Sequence, residues 1–222
     1  MPNYSRAAWK TYKNVFDSFT ERNLLKLQGQ GFFDELVSPI TLGKEANIFL
    51  ASKGDERVII KIYRTMNANF NKMLDYLTHD ERYQHIKSQK RKVILAWVQR
   101  EYANLLLARE VVRCPTPHAV RENVLVMACI GGELPAPMLK DKKPKKPDVF
   151  YEECRDALER LRAAGLVHGD VSAFNILNDD ETPVFIDFSQ GTTTKSPRAQ
   201  ELYERDVENL NKHFAKLGVK TR

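Results

Sequence analysis

Long apolar runs are missing from this chain. Its hydrophobic stretches are short, as at residues 93–98 (VILAWV), whereas a membrane-spanning helix needs about 20 apolar residues. The opening residues, MPNYSRAAWK, have none of the apolar core of a secretory signal. Cysteine is scarce too: Cys114, Cys129 and Cys154 are odd in number and have no metal-ligand spacing. That excludes a disulfide framework and a cysteine zinc site, and reads as reduced thiols in a cytoplasmic protein away from membranes. Neither sign of charge is lacking. Lys and Arg total 35 against 29 Asp and Glu, a net +6. Such an excess favours polyanionic surroundings, nucleic acid among them, through phosphate attraction and counterion release, although many ordinary cytosolic proteins are mildly basic. With 222 residues, 42% hydrophobic and 29% charged, the composition is globular rather than disordered. A chain of this length hides about 70% of its unfolded surface and needs no staples.

Along the chain, Ser18-Phe19-Thr20-Glu21 has capping-box spacing just before Leu24, Leu25 and Leu27, which predicts a helix that Gly29 and Gly31 stop. From residue 32 to 63 the texture is β-favouring, with Ile48-Phe49-Leu50 and Val58-Ile59-Ile60-Lys61-Ile62-Tyr63 flanking the turn Lys53-Gly54-Asp55-Glu56, a hairpin signal. Residues 64–92 are polar and read as a mobile or partly helical insertion. A helix is expected over 92–110 with Ile94, Val98 and Leu105 among its apolar residues, and a buried strand at Val124-Leu125-Val126-Met127 ahead of Gly131-Gly132,. KDKKPKKP at 140–147 reads as a solvated linker between lobes, able also to touch phosphates. Helices over 148–164 and 197–217, and strands at 175–177 and 184–186, complete a two-lobed α+β reading. The expected divisions are N-terminal helices in 1–31, a first lobe over 32–130 containing the insertion, and a reduced second lobe over 131–222.

The chemistry sits in His168-Gly169-Asp170-Val171-Ser172-Ala173-Phe174-Asn175, followed by Phe185-Ile186-Asp187-Phe188. Alone, each fragment also fits a loop cap, because Asp and Asn favour turns. An Asp, an Asn five residues on, and a second Asp beside an apolar strand suit phosphoryl transfer. That reaction needs a carboxylate to receive the acceptor's proton and hard oxygen ligands for a divalent metal. Asp170 is then the expected base, and Asn175 with Asp187 the metal ligands, for Mg²⁺ (or Mn²⁺) rather than zinc. Lys61 lies mid-strand, where a charge needs a partner. It is the candidate for the α- and β-phosphates of ATP, with Glu101 as the carboxylate that orients it and Glu110 as the second candidate. Gly43, Lys44 and Glu45 occupy the place of a phosphate loop, though one glycine does not make GxGxxG.

Gly43-Lys44-Glu45-Ala46-Asn47, Lys61-Ile62-Tyr63-Arg64, Trp97-Val98-Gln99-Arg100-Glu101, Val124-Leu125-Val126-Met127, Ala136-Pro137-Met138-Leu139-Lys140-Asp141, the catalytic segment, Ile186-Asp187-Phe188-Ser189-Gln190 and Arg205-Asp206-Val207-Glu208-Asn209-Leu210 together resemble the RIO-type atypical protein kinases, in the subfamily without a winged helix. The likeness runs from Val15-Phe16-Asp17 over most of the chain and favours a short archaeal form. The resemblance implies a bilobal protein-kinase-like fold whose minimal C-lobe lacks an activation loop and a peptide-docking subdomain. It implies ATP with a divalent metal, transfer to serine at least on itself, ATP hydrolysis, and a role in maturation of the small ribosomal subunit through its precursor particles or rRNA. Met127 becomes the gatekeeper, Ala128 and Ile130 offer backbone groups to adenine, and Asp187 is also a candidate phosphate acceptor. Ser172 stands where typical protein kinases carry a lysine that touches the γ-phosphate, so transfer is expected to be slow.

Other readings fit parts of the same pattern. A small-molecule kinase of the aminoglycoside or choline type shares HGD…N…IDF but builds its acceptor site from a larger helical region. A kinase-like ATPase associated with tRNA modification shares the size and the HGD pattern. An rRNA- or ribosome-binding assembly factor switched by nucleotide is compatible with the same ATP site. The 35 residues after Asp187 leave room for a short loop and one helix. Thr65, Thr78 and Ser88 are candidate autophosphorylation sites, and a monomer is favoured.

Overall fold

The computed structural model describes residues 16–65, 69–86 and 88–221; the earlier residues, Val15 included, lie outside the described part. Two compact units form, one of the chain up to residue 69 with 117–129, the other of 70–116 with 130–222.

The first unit is a helix on a sheet. Helix α1 (Ser18–Gly29) is capped by Asp17, whose carboxylate accepts the Thr20 amide at 2.7 Å. The cap is therefore one residue earlier than the sequence spacing predicts, because an aspartate carboxylate outcompetes the adjacent serine hydroxyl for the same amide. The helix ends in a Schellman arrangement: Gly31 takes φ 77° while Phe32 N–H reaches Leu27 O at 3.1 Å,. Strands β1 (Glu35–Leu42), β2 (Ala46–Lys53), β3 (Glu56–Tyr63), β4 (Pro117–Arg121) and β5 (Val124–Ala128) form an antiparallel sheet of order β1-β2-β3-β5-β4. The expected turn at 53–56 is a two-residue hairpin led by Gly54 at φ 56°,. Alternate residues of β3, Val58, Ile60 and Ile62, join Leu24, Leu27, Phe33 and Phe49 in the core. That alternation puts Lys61 on the opposite face of the strand.

The second unit holds α2 (Phe70–Thr78), α3 (Lys90–Ala108), α4 (Pro147–Ala163) and α5 (Ala199–Ala215). Short pairs accompany them: β6 (Leu166–Val167) with β9 (Thr192–Thr193), and β7 (Ile176–Asp179) with β8 (Thr182–Phe185). Pro147 starts α4, where its missing N–H costs nothing,. The basic stretch at 140–147 is a correction. Lys140 N–H donates to Ala173 O at 3.0 Å, Lys145 N–H to Glu181 at 2.5 Å, and Asn178 donates to Lys142 O at 3.3 Å. It is strapped onto the β7–β8 hairpin and is no linker between units, because its backbone groups find partners in the hairpin that its charged side chains do not advertise. No helix among the described residues is long and apolar enough to cross a membrane.

Candidate active site

In the helical unit, the turn between β6 and β7 carries the catalytic segment. Its backbone is held from α5. Both carboxylate oxygens of Asp206 accept amides, from Gly169 at 2.6 Å and Val171 at 2.9 Å, one on each side of Asp170. Arg205 donates to Gly169 O, and Asn209 to Val171 O at 3.2 Å. Gly169 takes φ 77°, and a Cβ there would lie 2.9 Å from Gln190 O, so the segment passes too close to its neighbour for any other residue. Burial raises the Asp206 carboxyl to about 7, against the pull of the two amides and Arg205. His168 is structural: buried between β6 and β8, its ring lies 4.5 Å from that of Phe188 and its Nε2 is 3.1 Å from Ile186 O. The Asp170 amide donates to Nδ1 at 3.3 Å.

Asn175 is fixed to Asp170 twice, its side-chain amide donating to Asp170 O at 2.8 Å and to the carboxylate at 3.0 Å. The β7–β8 pairing continues through Ile186 N–H to Asn175 O at 3.0 Å, so the hairpin register sets Asn175 across from the residue before Asp187. Asp187 has φ 62° and ψ 69°, a left-handed conformation uncommon outside glycine, and its carboxylate accepts the Ser189 amide at 3.4 Å,. Asp170 is pushed up by burial first and by the charge of Asp187 next, with Lys72, Asn175 and Arg205 opposing. The Asp187 carboxylate and the Asn175 side-chain oxygen, whose nitrogen is already committed to Asp170, are hard oxygen donors of the kind that suits a divalent magnesium or manganese ion,. Ser172 makes the turn, its hydroxyl accepting the Phe174 amide at 3.3 Å.

Asp187 leads into a single 3-10 turn (Phe188–Gln190). α3 clamps this turn from within. Arg100 donates to Gly191 O at 2.9 Å and Gln190 O at 3.3 Å, while Asn104 donates to Phe188 O at 2.9 Å and Gly191 O at 2.8 Å. Asp80 meets Arg100 at 3.3 Å and Arg82 at 2.7 Å, and Arg82 reaches Asn104 at 2.9 Å. Burial draws the Arg100 guanidinium down to about 10, still charged at neutral pH. Glu101, next on α3, is buried at 1% exposure, whereas Glu110 is exposed and pairs with Arg109. The helix thus presents Glu101, not Glu110, as a desolvated carboxylate. Only residues 191–198 separate the 3-10 turn from α5, so no activation loop stands there.

In the sheet unit, Lys61 is buried at 6% exposure, between Ile48 on β2 and Leu125 on β5, with its ammonium 5.2 Å from the Tyr63 ring. Gly43, Lys44 and Glu45 form the β1–β2 turn. Arg64 pins it, donating its amide to Glu45 O at 2.9 Å and its guanidinium to Gly43 O at 3.3 Å. A Cβ at Gly43 would lie 2.7 Å from Ala46 O, so this one glycine is a steric requirement. Met127 is buried on β5 opposite Ile59, and Ala128 ends that strand opposite Val58. Ile130 belongs to the helical unit. Its carbonyl accepts the Ala136 amide at 2.7 Å.

Sequence reasoning missed the supports. Asp206, Asn209 and Arg100 lie in segments that carried only the resemblance, and Asn104 and Asp80 carried none. Their one sequence signal is the charged and amide residues interrupting the apolar pattern of amphipathic helices.

The RIO domain profile matches residues 47–222. The RIO-type serine/threonine-protein kinase Rio1 of Haloferax volcanii is 40% identical over 214 residues, 95% of this chain and 74% of that protein. Its namesake from Methanocaldococcus jannaschii is 38% identical over 212 residues, 95% of this chain and 73% of that one. The crystal structure of the Rio2 kinase-ADP/Mg²⁺-phosphoaspartate complex from Chaetomium thermophilum has a TM-score of 0.70 at 24% identity, over 90% of this chain and 61% of that one, a likeness of fold. On these matches, the chain belongs to the RIO family of atypical serine/threonine-protein kinases.

Proposed function

We propose that the chain transfers the γ-phosphoryl group of ATP to a serine hydroxyl, at least on itself, and also hydrolyses ATP. The observation that carries this reading is the Asp170–Asn175 pair, locked from behind by the two amide bonds to Asp206. Asp170 receives the proton of the attacking hydroxyl, and its raised pKa suits that task,. Asn175 and Asp187 are the residues to hold Mg²⁺ (or Mn²⁺), which when bound supplies charge compensation for the phosphate oxygens. In the sheet unit, Lys61 contacts the α- and β-phosphates, and the turn at Gly43, Lys44 and Glu45 offers backbone groups to them. Glu101 orients Lys61, and adenine bonds to backbone groups of Ala128 and Ile130 beside Met127. Asp187 is in addition a phosphate acceptor: its carboxylate oxygen attacks the γ-phosphorus, ADP leaves, and water then hydrolyses the acyl phosphate. The Rio2 phosphoaspartate structure supports that assignment by likeness.

The proposed setting is the cytoplasm and the maturing small ribosomal subunit. The family resemblance and the +6 charge support it, as do the exposed lysines 140, 142, 143, 145 and 146. A nucleotide-switched rRNA-binding assembly factor is the second reading, favoured by the same lysines. Calorimetry of ATP binding with and without Mg²⁺ tests the nucleotide site. The proposal expects metal-dependent binding that Asp187→Asn weakens, and metal-independent binding overturns it.

A further inference from the structure

Position 172 leaves a gap in the proposed chemistry. A serine occurs where a lysine would meet the transferring phosphate, and its hydroxyl is turned back onto the Phe174 amide. A cation from elsewhere in the chain can take that place. The polar insertion supplies a candidate. Helix α2 buries Met73, Tyr76 and Leu77, and its contacts reach the catalytic segment. Arg205 donates to the Tyr76 hydroxyl at 3.3 Å and, from the same guanidinium nitrogen, to Gly169 O, the carbonyl immediately before Asp170. Asp75 takes Arg198 at 2.8 Å, and His79 O accepts the Ser196 hydroxyl at 2.9 Å. The helix is thus anchored along its second half to α5 and the loop before it. Lys72 lies one turn before Tyr76 and shares its side of α2, and it is solvent-exposed.

We propose that Lys72 is the cation that meets the γ-phosphoryl group beside Asp170, in place of the lysine absent at 172. This inference rests on the phosphotransfer reading above. In the step itself the acceptor hydroxyl oxygen bonds to the γ-phosphorus, the bond to the β,γ-bridging oxygen breaks, ADP departs, and the hydroxyl proton passes to Asp170. Lys72 exchanges no proton. It offsets the charge on the transferring oxygens, as a positioned ammonium does in other phosphoryl clamps. Because α2 also carries the Tyr76 tie to Arg205, the helix places both the backbone of the catalytic segment and the ammonium that acts there.

The test compares wild type, Lys72→Met, Lys72→Arg and the double variant Lys72→Met/Ser172→Lys. It reads single-turnover transfer from labelled ATP, ADP affinity and the melting temperature. Lys72→Met is expected to slow transfer by about 10²-fold, with ADP affinity and melting unchanged, since ADP lacks the γ-group. Lys72→Arg retains most of the rate, and the double variant regains part of it. Transfer by Lys72→Met at or above the wild-type rate overturns the inference, the faster outcome marking α2 as a brake. No transfer by wild type overturns the kinase reading itself, and the inference with it.

Discussion

The guanidinium of Arg100 donates to the carbonyl of Gly191 at 2.9 Å, both deep inside the helical unit. Arg100 precedes Glu101 on α3, and Gly191 follows Asp187 by four residues. The helix bearing one proposed site carboxylate and the loop bearing the other are therefore a single braced piece. Arg100→Met removes one of the two guanidinium partners of Asp80 and a donor to each of two carbonyls. Asp80 keeps Arg82 and Gly191 O keeps Asn104, so the loss is expected to stay below the about 3–5 kcal/mol of an uncompensated buried charge, at about 1–3 kcal/mol in denaturant unfolding. Arg100→Lys recovers only part of it, for want of the forked donor.

Asp170→Ala is expected to lower phosphotransfer by about 10²–10⁴-fold, the usual contribution of a general base. Nucleotide affinity is retained, because the residue touches the acceptor rather than ATP. Quench-flow and calorimetry on the same protein separate the two effects.

Asp206 makes the site pH-sensitive. Its carboxyl in the folded chain titrates at about 7, above the ordinary 3.8. Between those values the folded chain holds a proton that the unfolded chain has released. Stability from this group therefore falls as pH rises from about 4 to about 7 and is level above that. Activity runs the other way. A protonated carboxyl no longer accepts both the Gly169 and Val171 amides, so the rate of transfer is expected to rise with pH through about 7. Asp206→Asn lowers the rate and removes that limb from the pH–rate profile.

Gly43 is the one glycine in the proposed phosphate turn, and a Cβ there meets Ala46 O at 2.7 Å. Gly43→Val is expected to cost about 1–3 kcal/mol of stability, as overpacking does, and to raise the KM for ATP. Thermal melts and steady-state kinetics check the two.

Local pattern made much of this molecule legible. The helices expected over 92–110, 148–164 and 197–217 are Lys90–Ala108, Pro147–Ala163 and Ala199–Ala215, because amphipathic periodicity survives in them. Asp170, Asn175 and Asp187 stand out in the sequence through a five-residue spacing and the apolar strands that follow, and the hairpin register sets Asn175 across from Ile186. β1 is legible only as the start of the β-favouring texture, without bounds: its residues are mostly exposed, Pro39 sits in it, and its pairing slips near Leu36 and Pro39, as suits an edge strand. The supports of the site stayed hidden for a different reason. The bond from Gly169 to Asp206 spans 37 residues, and that from Ser196 to His79 spans 117. Such partners are chosen by packing, and no sequence window contains both.

Transfer of label from γ-labelled ATP to the protein, followed with and without Mg²⁺ in wild type, Asp170→Ala and Asp187→Asn, puts the assigned chemistry to the test. Metal-dependent labelling is the predicted result, its hydroxylamine-stable fraction lost in Asp170→Ala and its hydroxylamine-labile fraction lost in Asp187→Asn. Hydroxylamine-stable labelling that persists undiminished in Asp170→Ala, or labelling that needs no metal, would contradict the roles assigned to Asp170 and Asp187.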